Sequence, residues 1–299
     1  PIHSCILGEG MHWDSLRQSL WGVDIHAHKV WRWELNSGVI EQQQSGQRIG
    51  WILPVDDESS KVVLGLQGGV FCADADDMSV GKWLQRPFIS EPSMRLNDAK
   101  ADASGAIWCG SLNNDNESLP FGCLYRLGPD GQWRIKDTGY KVANGPAIDS
   151  SQTIFMHTDS GRRTIYRFDL DVESGTLSNK RIWKIFNEAE GYPDGMCFDA
   201  EGGLWVAHWG GGRISRFSID GFLLREIYLP TSHITNVCFA GAGLDRLFVS
   251  SAKSGLTPEE LAEQPFAGHV FEVLGHGVCG VPSLSASERF ATLDCLVKN

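Results

Sequence analysis

Long apolar runs are missing from this chain. No stretch approaches the roughly 18 to 20 residues that a membrane-spanning helix needs, so no spanning helix is expected. Runs of Lys and Arg are missing too, and the formal net charge is −11. An acidic surface repels phosphate backbones, which argues against a nucleic-acid partner and against docking on an anionic membrane. None of the eight cysteines (Cys5, Cys72, Cys109, Cys123, Cys197, Cys238, Cys279, Cys295) forms a CxxC pair. Most lie in apolar runs, where a reduced thiol acts as a small hydrophobe, so buried thiols are expected and not a disulfide framework. There is no Gly-x-Ser-x-Gly elbow, the mark of one large class of serine hydrolases. The opening Pro1-Ile2-His3-Ser4-Cys5 has neither the basic nor the apolar region of a secretory leader, so a cytoplasmic location is expected. Charged residues are scarce as well, at 21% against 42% apolar, which suits a folded core and not disorder.

What the chain does contain is glycine, 34 residues of it spread along 299. Dispersed turn formers imply many short strands. A run reading apolar, aromatic, Arg, apolar recurs as Val30-Trp31-Arg32-Trp33, Leu124-Tyr125-Arg126-Leu127 and Ile165-Tyr166-Arg167-Phe168, more weakly as Ile214-Ser215-Arg216-Phe217. Degenerate copies at Val70-Phe71-Cys72-Ala73 and Val270-Phe271-Glu272-Val273 bring the count to six. Upstream of each lies a second apolar run, such as Ile107-Trp108-Cys109-Gly110 or Leu204-Trp205-Val206-Ala207. Further upstream a third run ends before Asp14, Asp56, Asp102, Asp149 and Asp199, with Ala240 at the sixth position. Six units of about 40 to 50 residues are the signature of a six-bladed β-propeller, an all-β fold read as one domain over residues 1–299. The outer strand of each blade is the least visible. Helical character is confined to Pro258-Glu259-Glu260-Leu261-Ala262-Glu263. The ring would close through the N-terminal segment or through residues 286–297.

The repeat supplies a coordinate system. Five residues before each of those positions stand Glu9, Trp51, Asn97, Asn144, Asp194 and Thr235. Four of these six carry carboxylate or amide oxygen, and rotation about the axis brings equivalent slots to one mouth of the channel. Like charges held that close need a cation to offset them. Oxygen ligands suit Ca²⁺, Mg²⁺ or Mn²⁺. Trp51 and Thr235 mark the wall of the ring. Any one Asn or Asp near a strand entry could equally be a turn former; the shared register is what singles these out.

At these residues the sequence resembles the senescence marker protein/gluconolactonase/luciferin-regenerating enzyme family. The matching segments are Gly8-Glu9-Gly10 with Trp13, Arg95-Leu96-Asn97-Asp98, Asn144-Gly145, Asp159-Ser160 with Arg163-Thr164-Ile165-Tyr166, Tyr192-Pro193-Asp194-Gly195-Met196 with Asp199, and Trp205 through Arg213. They cover nearly the whole chain in the family's order. The resemblance implies a six-bladed propeller with one divalent metal ion in the central channel, acting on a sugar lactone. It implies Glu9, Asn144 and Asp194 as metal ligands, Asp194 also as the catalytic carboxylate, Arg95 as a substrate-binding residue, and Asn97 as a contact to metal or substrate. The ion (Ca²⁺, Mg²⁺, Mn²⁺, Zn²⁺ or Fe²⁺) and the sugar stay open, as does the choice of monomer or homodimer. Departures from the family pattern are Pro146, the Thr235-Asn236 pair and the loop Asn113–Glu117.

The implied reaction is hydrolytic ring opening, with a metal-polarised carbonyl and Asp194 taking a proton from water. Two other functions fit the same ring of oxygens: a metal-dependent aryl-ester or phosphotriester hydrolase, and a non-catalytic calcium-binding propeller. By residue type alone Arg95 is either a rim ion-pair partner or a substrate contact. His208 is either a substrate contact or a packed strand-end residue. The loop 113–117 is expected to be solvated, and His26-Ala27-His28 to lie in a surface turn. Trp13, Trp21, Trp31, Trp33, Trp108 and Trp205 are expected to pack between blades.

Overall fold

The computed structural model describes residues 4–56 and 60–293. Cys295 and the last residues of the proposed closing segment 286–297 lie outside the described residues, as do Pro1, Ile2 and His3.

The strands form six antiparallel sheets, five of four strands and one of three, each running outward from an inner strand in chain order. The inner strands are Gly8–Asp14, Ile49–Pro54, Met94–Ala101, Ala143–Ile148, Tyr192–Phe198 and Ile234–Ala240. Each packs on the next, and the sixth returns to the first, which makes a six-bladed β-propeller. The outer strands explain their faint sequence signal. Leu223–Tyr228 is almost wholly exposed, and Thr176–Ile185 has no buried residue. Such strands need only pairing, not an apolar face.

The repeat is a packing device at the base end of the inner strands. Asp102 accepts from the Trp108 indole N–H at 2.8 Å, and Asp199 accepts from Trp205 at 2.8 Å. Arg126 and Arg216, from the next strand out, pair with the same two carboxylates. Blade one keeps the Asp14–Trp21 contact and the arginine over the Trp21 ring, Arg32, but there Asp14 pairs with Arg17 while Arg32 pairs with Glu41. Blade four has Phe155 at the tryptophan position, and Asp149 keeps the loop bonds that Asp102 and Asp199 also make, accepting from the Thr153 and Ile154 N–H groups. The six tryptophans expected between blades are buried there. Trp51 joins them against Leu96 and Ala99 of blade three, so it packs the interblade core and does not face the channel.

Closure uses both chain ends. Cys5 N donates to Gly268 O at 2.7 Å and Leu7 O accepts from Ile25 N at 3.0 Å, which ties blade six to blade one. Residues 279–287 form a strap across the base. It bonds to Leu244 in blade six, Ala200 in blade five, Pro54 and Asp56 in blade two, and Gly105 in blade three. The helix Pro258–Glu263 forms as expected, with a Thr257–Glu260 capping box. The described cysteines include no disulfide framework: Cys5, Cys109 and Cys238 are buried, Cys123 and Cys197 half-buried, while Cys279 on the strap is exposed, against expectation. Among the described residues no helix is long and apolar enough to cross a membrane.

Candidate functional site

All six inner strands break register with their neighbours near the cleft end, between Glu9 and His12, Ile49 and Trp51, Cys109 and Ser111 (opposite Leu96–Ala99), Asn144 and Ala147, Pro193 and Met196, and Ile234 and Asn236. A bulge inserts residues that have no cross-strand partner and re-aims their side chains. The shared slot read from the sequence is this ring of bulges. Gly10 sits in one of them at a φ of +57°, where a side chain would be strained. Gly195 leaves room for Asn236, whose Nδ2 would lie 2.4 Å from an added Cβ. Pro146, one of the departures from the family pattern, falls inside the bulge of blade four, where no ladder hydrogen bond is needed.

Glu9, Arg95, Asn97, Asn144 and Asp194 are all buried, Asn97 the most exposed of them at 7%, and all five border one cleft of about 530 Å³. Asn97 is clamped from both sides. Arg95 Nη1 donates to its Oδ1 at 2.6 Å, and its Nδ2 donates to Asn144 Oδ1 at 2.9 Å and to Ala143 O at 2.9 Å. Asn144 Nδ2 donates to Ser160 Oγ at 3.2 Å, and that hydroxyl donates to Pro193 O at 2.6 Å. One chain of hydrogen bonds therefore runs from blade three to blade five. On the other side Asn236 Nδ2 donates to Glu9 Oε2 at 3.2 Å.

The charges are unbalanced. Burial and then Asp98 push the Glu9 carboxyl up to about 8. Burial, with Glu9 and Asp98, holds Asp194 well above the usual carboxylate range. Asp98 is itself raised by burial, although Lys100 opposes this. Burial lowers Arg95 to about 10, against the pull of Glu117 and Glu9. Asp194 Oδ1 and Asp98 Oδ2 are buried with no hydrogen-bond partner. Orphaned carboxylate oxygens that repel one another fit a hard cation as the missing partner. Among the described residues no three His, Cys, Asp or Glu side chains converge on a common point, so a cation here would also draw on amide oxygen.

Several contributors escaped the sequence reading. Asp98 adds a third carboxylate to the field, and Asn236 takes blade six's part in the ring one residue beyond Thr235. The Thr235 hydroxyl is itself spent on Gly8 O and Ser250. The loop 113–117 is not merely solvated: Asn114 Oδ1 accepts from Arg95 Nε at 3.0 Å, and Glu117 borders the cleft. His26 lies exposed in a turn, as expected, and that turn also borders the cleft, with Nδ1 3.3 Å from Ser254 Oγ. His208 is packed, fully buried, with Nδ1 2.8 Å from Glu190 O and its ring edge-on to Phe186. A second cavity of about 270 Å³ lies under the strap at the base, lined largely by apolar residues around Lys100. It lacks the converging carboxylates.

Comparison with known proteins agrees with this architecture. The family model described as SMP-30/Gluconolactonase/LRE-like region matches residues 7–253. Regucalcin of Danio rerio is 33% identical over 287 residues, covering 93% of this chain and 94% of that protein. Regucalcin of Homo sapiens is 32% identical over 295 residues, covering 94% and 95%. The solved structure of a luciferin-regenerating enzyme superposes with a TM-score of 0.89 at 29% identity, covering 95% of this chain and 96% of that one. With a family model matched over most of its length and its propeller shared with that enzyme, the chain belongs to the SMP-30/gluconolactonase/LRE-like family.

Proposed function

We propose that the protein is a metal-dependent lactonase that opens a sugar lactone to its sugar acid, with Asp194 as general base. The observation that carries this reading is Asp194 Oδ1, a buried carboxylate oxygen without a partner in a cleft it shares with Glu9, Asn97, Asn144 and Arg95. Glu9, Asn144 and Asp194 would hold one divalent cation. When bound, that ion keeps the carboxylates ionised and polarises a carbonyl oxygen.

The chain's own residues do the rest. Asn144 is held in orientation by Asn97 and Ser160, and Glu9 by Asn236 and the Gly10 N–H. Arg95, anchored by Asn97 and Asn114, offers a fixed guanidinium to ring oxygens or hydroxyls. Asp194 takes the proton of the attacking water as its oxygen bonds to the carbonyl carbon. The ring C–O bond then breaks, and the leaving oxygen takes up the proton held by Asp194, becoming a hydroxyl and restoring the carboxylate. Sugar hydroxyls need several polar partners, and Ser118, Lys141, Ser160 and Glu117 line the cleft for that purpose. These polar groups, set among the aliphatic Leu7, Ile25, Leu112 and Val142, favour a sugar lactone over an aryl ester or a phosphotriester.

The test is metal stripping followed by add-back of Ca²⁺, Mg²⁺, Mn²⁺, Zn²⁺ and Fe²⁺ in a pH-indicator assay. The substrates are a panel of aldonolactones beside phenyl acetate and a phosphotriester. Metal-dependent acid release from an aldonolactone, well above the other substrates, is expected. No rate with any ion would leave a cation-binding propeller without catalysis.

A further inference from the structure

Two aromatic side chains at the cleft rim are unexplained by packing. Tyr192 and Trp209 are cross-strand partners at the cleft end of blade five, and both border the cleft. Neither belongs to the apolar clusters between blades four, five and six. Each is nevertheless held in place through one ring face. Trp209 stacks on His233 with centroids 4.1 Å apart and planes 14° from parallel, and His233 is fixed by an Nδ1 contact of 2.9 Å to Ser254 O. Tyr192 lies under the Arg163 guanidinium at 4.0 Å. Arg163 adopts a left-handed backbone at φ +52°, an unfavourable conformation for a side-chain-bearing residue. That conformation caps the 3-10 turn Ser160–Arg162, closed by the Arg163 N–H donating to Ser160 O. Flat rings with one face braced are presented to a cleft whose other walls mix Leu7, Ile25, Leu112 and Val142 with charged and amide groups.

The cleft is also large for a single sugar. At about 530 Å³ it lies within the range of about 300–1,000 Å³ that encloses drug-sized ligands. One aldonolactone, with about a dozen non-hydrogen atoms, fills only part of such a space. Tyr192 stands two residues before Asp194 on the same strand, so the aromatic pair adjoins the proposed base.

We propose that Tyr192 and Trp209 form a second subsite, which takes a sugar ring attached to the lactone, and that the substrates are glycosylated aldonolactones of disaccharide size. This rests on the lactonase reading above. The apolar face of the distal pyranose lies on the aromatic wall, while its hydroxyls meet Lys141, Ser160 and Ser254. The lactone ring then reaches Arg95 and Asp194.

The experiment compares gluconolactone with cellobionolactone on the metal-loaded wild type, Trp209→Ala, Trp209→Phe and Tyr192→Ala. Wild type is expected to have the higher kcat/KM on cellobionolactone. Trp209→Ala should raise KM for cellobionolactone relative to gluconolactone by about tenfold, with Trp209→Phe restoring most of it. A wild-type preference for gluconolactone, or a Trp209→Ala effect equal on both substrates, overturns the subsite and leaves the lactonase reading standing. If neither lactone is hydrolysed, the lactonase reading fails. Calorimetry with lactobionate then decides the subsite alone: binding that is lost in Trp209→Ala and kept in Trp209→Phe supports it, and no binding to wild type overturns it.

Discussion

On the inner strand of blade five and the turn that follows it, two aspartates stand five residues apart. Asp199, at the base, accepts five hydrogen bonds, from Trp205, twice from Arg216, and from the Glu201 and Gly203 N–H groups. Asp194, at the cleft, is as deeply buried and keeps one oxygen with no partner. The same side chain thus serves as a fastener at one end of the strand and as an unsatisfied ligand at the other. Stability is invested at the base, and chemistry is left exposed at the cleft, where the bulges interrupt the ladder.

Three changes would break or sharpen that contrast. Asp194→Ala should lower lactone hydrolysis by at least about 10³-fold, because it removes the base and a proposed ion ligand together. The metal-free variant should melt no lower than wild type, since a repelled buried carboxylate is gone. Activity within a few-fold of wild type in the pH-indicator assay would contradict the assignment. Asp199→Ala should do the reverse. Removing one partner of a buried ion pair costs about 3–5 kcal/mol, seen in denaturant melts, while kcat of the folded fraction stays within a few-fold.

The smallest effect is a pH slope. Glu9 has a folded-state pKa of about 8 against a reference of 4.5. Between those values the folded carboxyl keeps a proton that the unfolded chain releases, so chelated protein should lose stability as pH rises from about 4.5 to about 8. A divalent ion favours the carboxylate and should flatten that slope. Thermal melts in chelator and in excess Ca²⁺ at pH 5, 6.5 and 8 read it directly; parallel curves would remove the like-charge argument.

The base end was legible from the chain because its parts recur in one order in three blades: Asp, then Trp on the next strand, then Arg on the strand after that. The cleft end was legible only through that register. Counting back five residues reached Glu9, Asn97, Asn144 and Asp194, which the structure gathers around one cleft. The same count failed for Trp51, because the bulge of blade two turns it into the interblade core. It also passed over Asn236, since blade six delivers its polar group one residue later. Asp98 hid beside Asn97 because a bulge lets consecutive residues both serve the channel, which regular alternation forbids. Asn114, Glu117 and His26 come from loops, which follow no period at all.

The strap of residues 279–287 has a consequence for how the chain matures on the ribosome. Its hydrogen bonds reach Pro54, Gly105, Ala200 and Leu244, so it joins blades made early to blades made last. The hydrogen bond from Cys5 N to Gly268 O likewise links segments far apart in the chain. Until the final stretch has emerged, the nascent blades can pair internally but the circle stays open. Closure therefore waits for residues 268–287, and until then the blades that will flank the gap keep one packing face open.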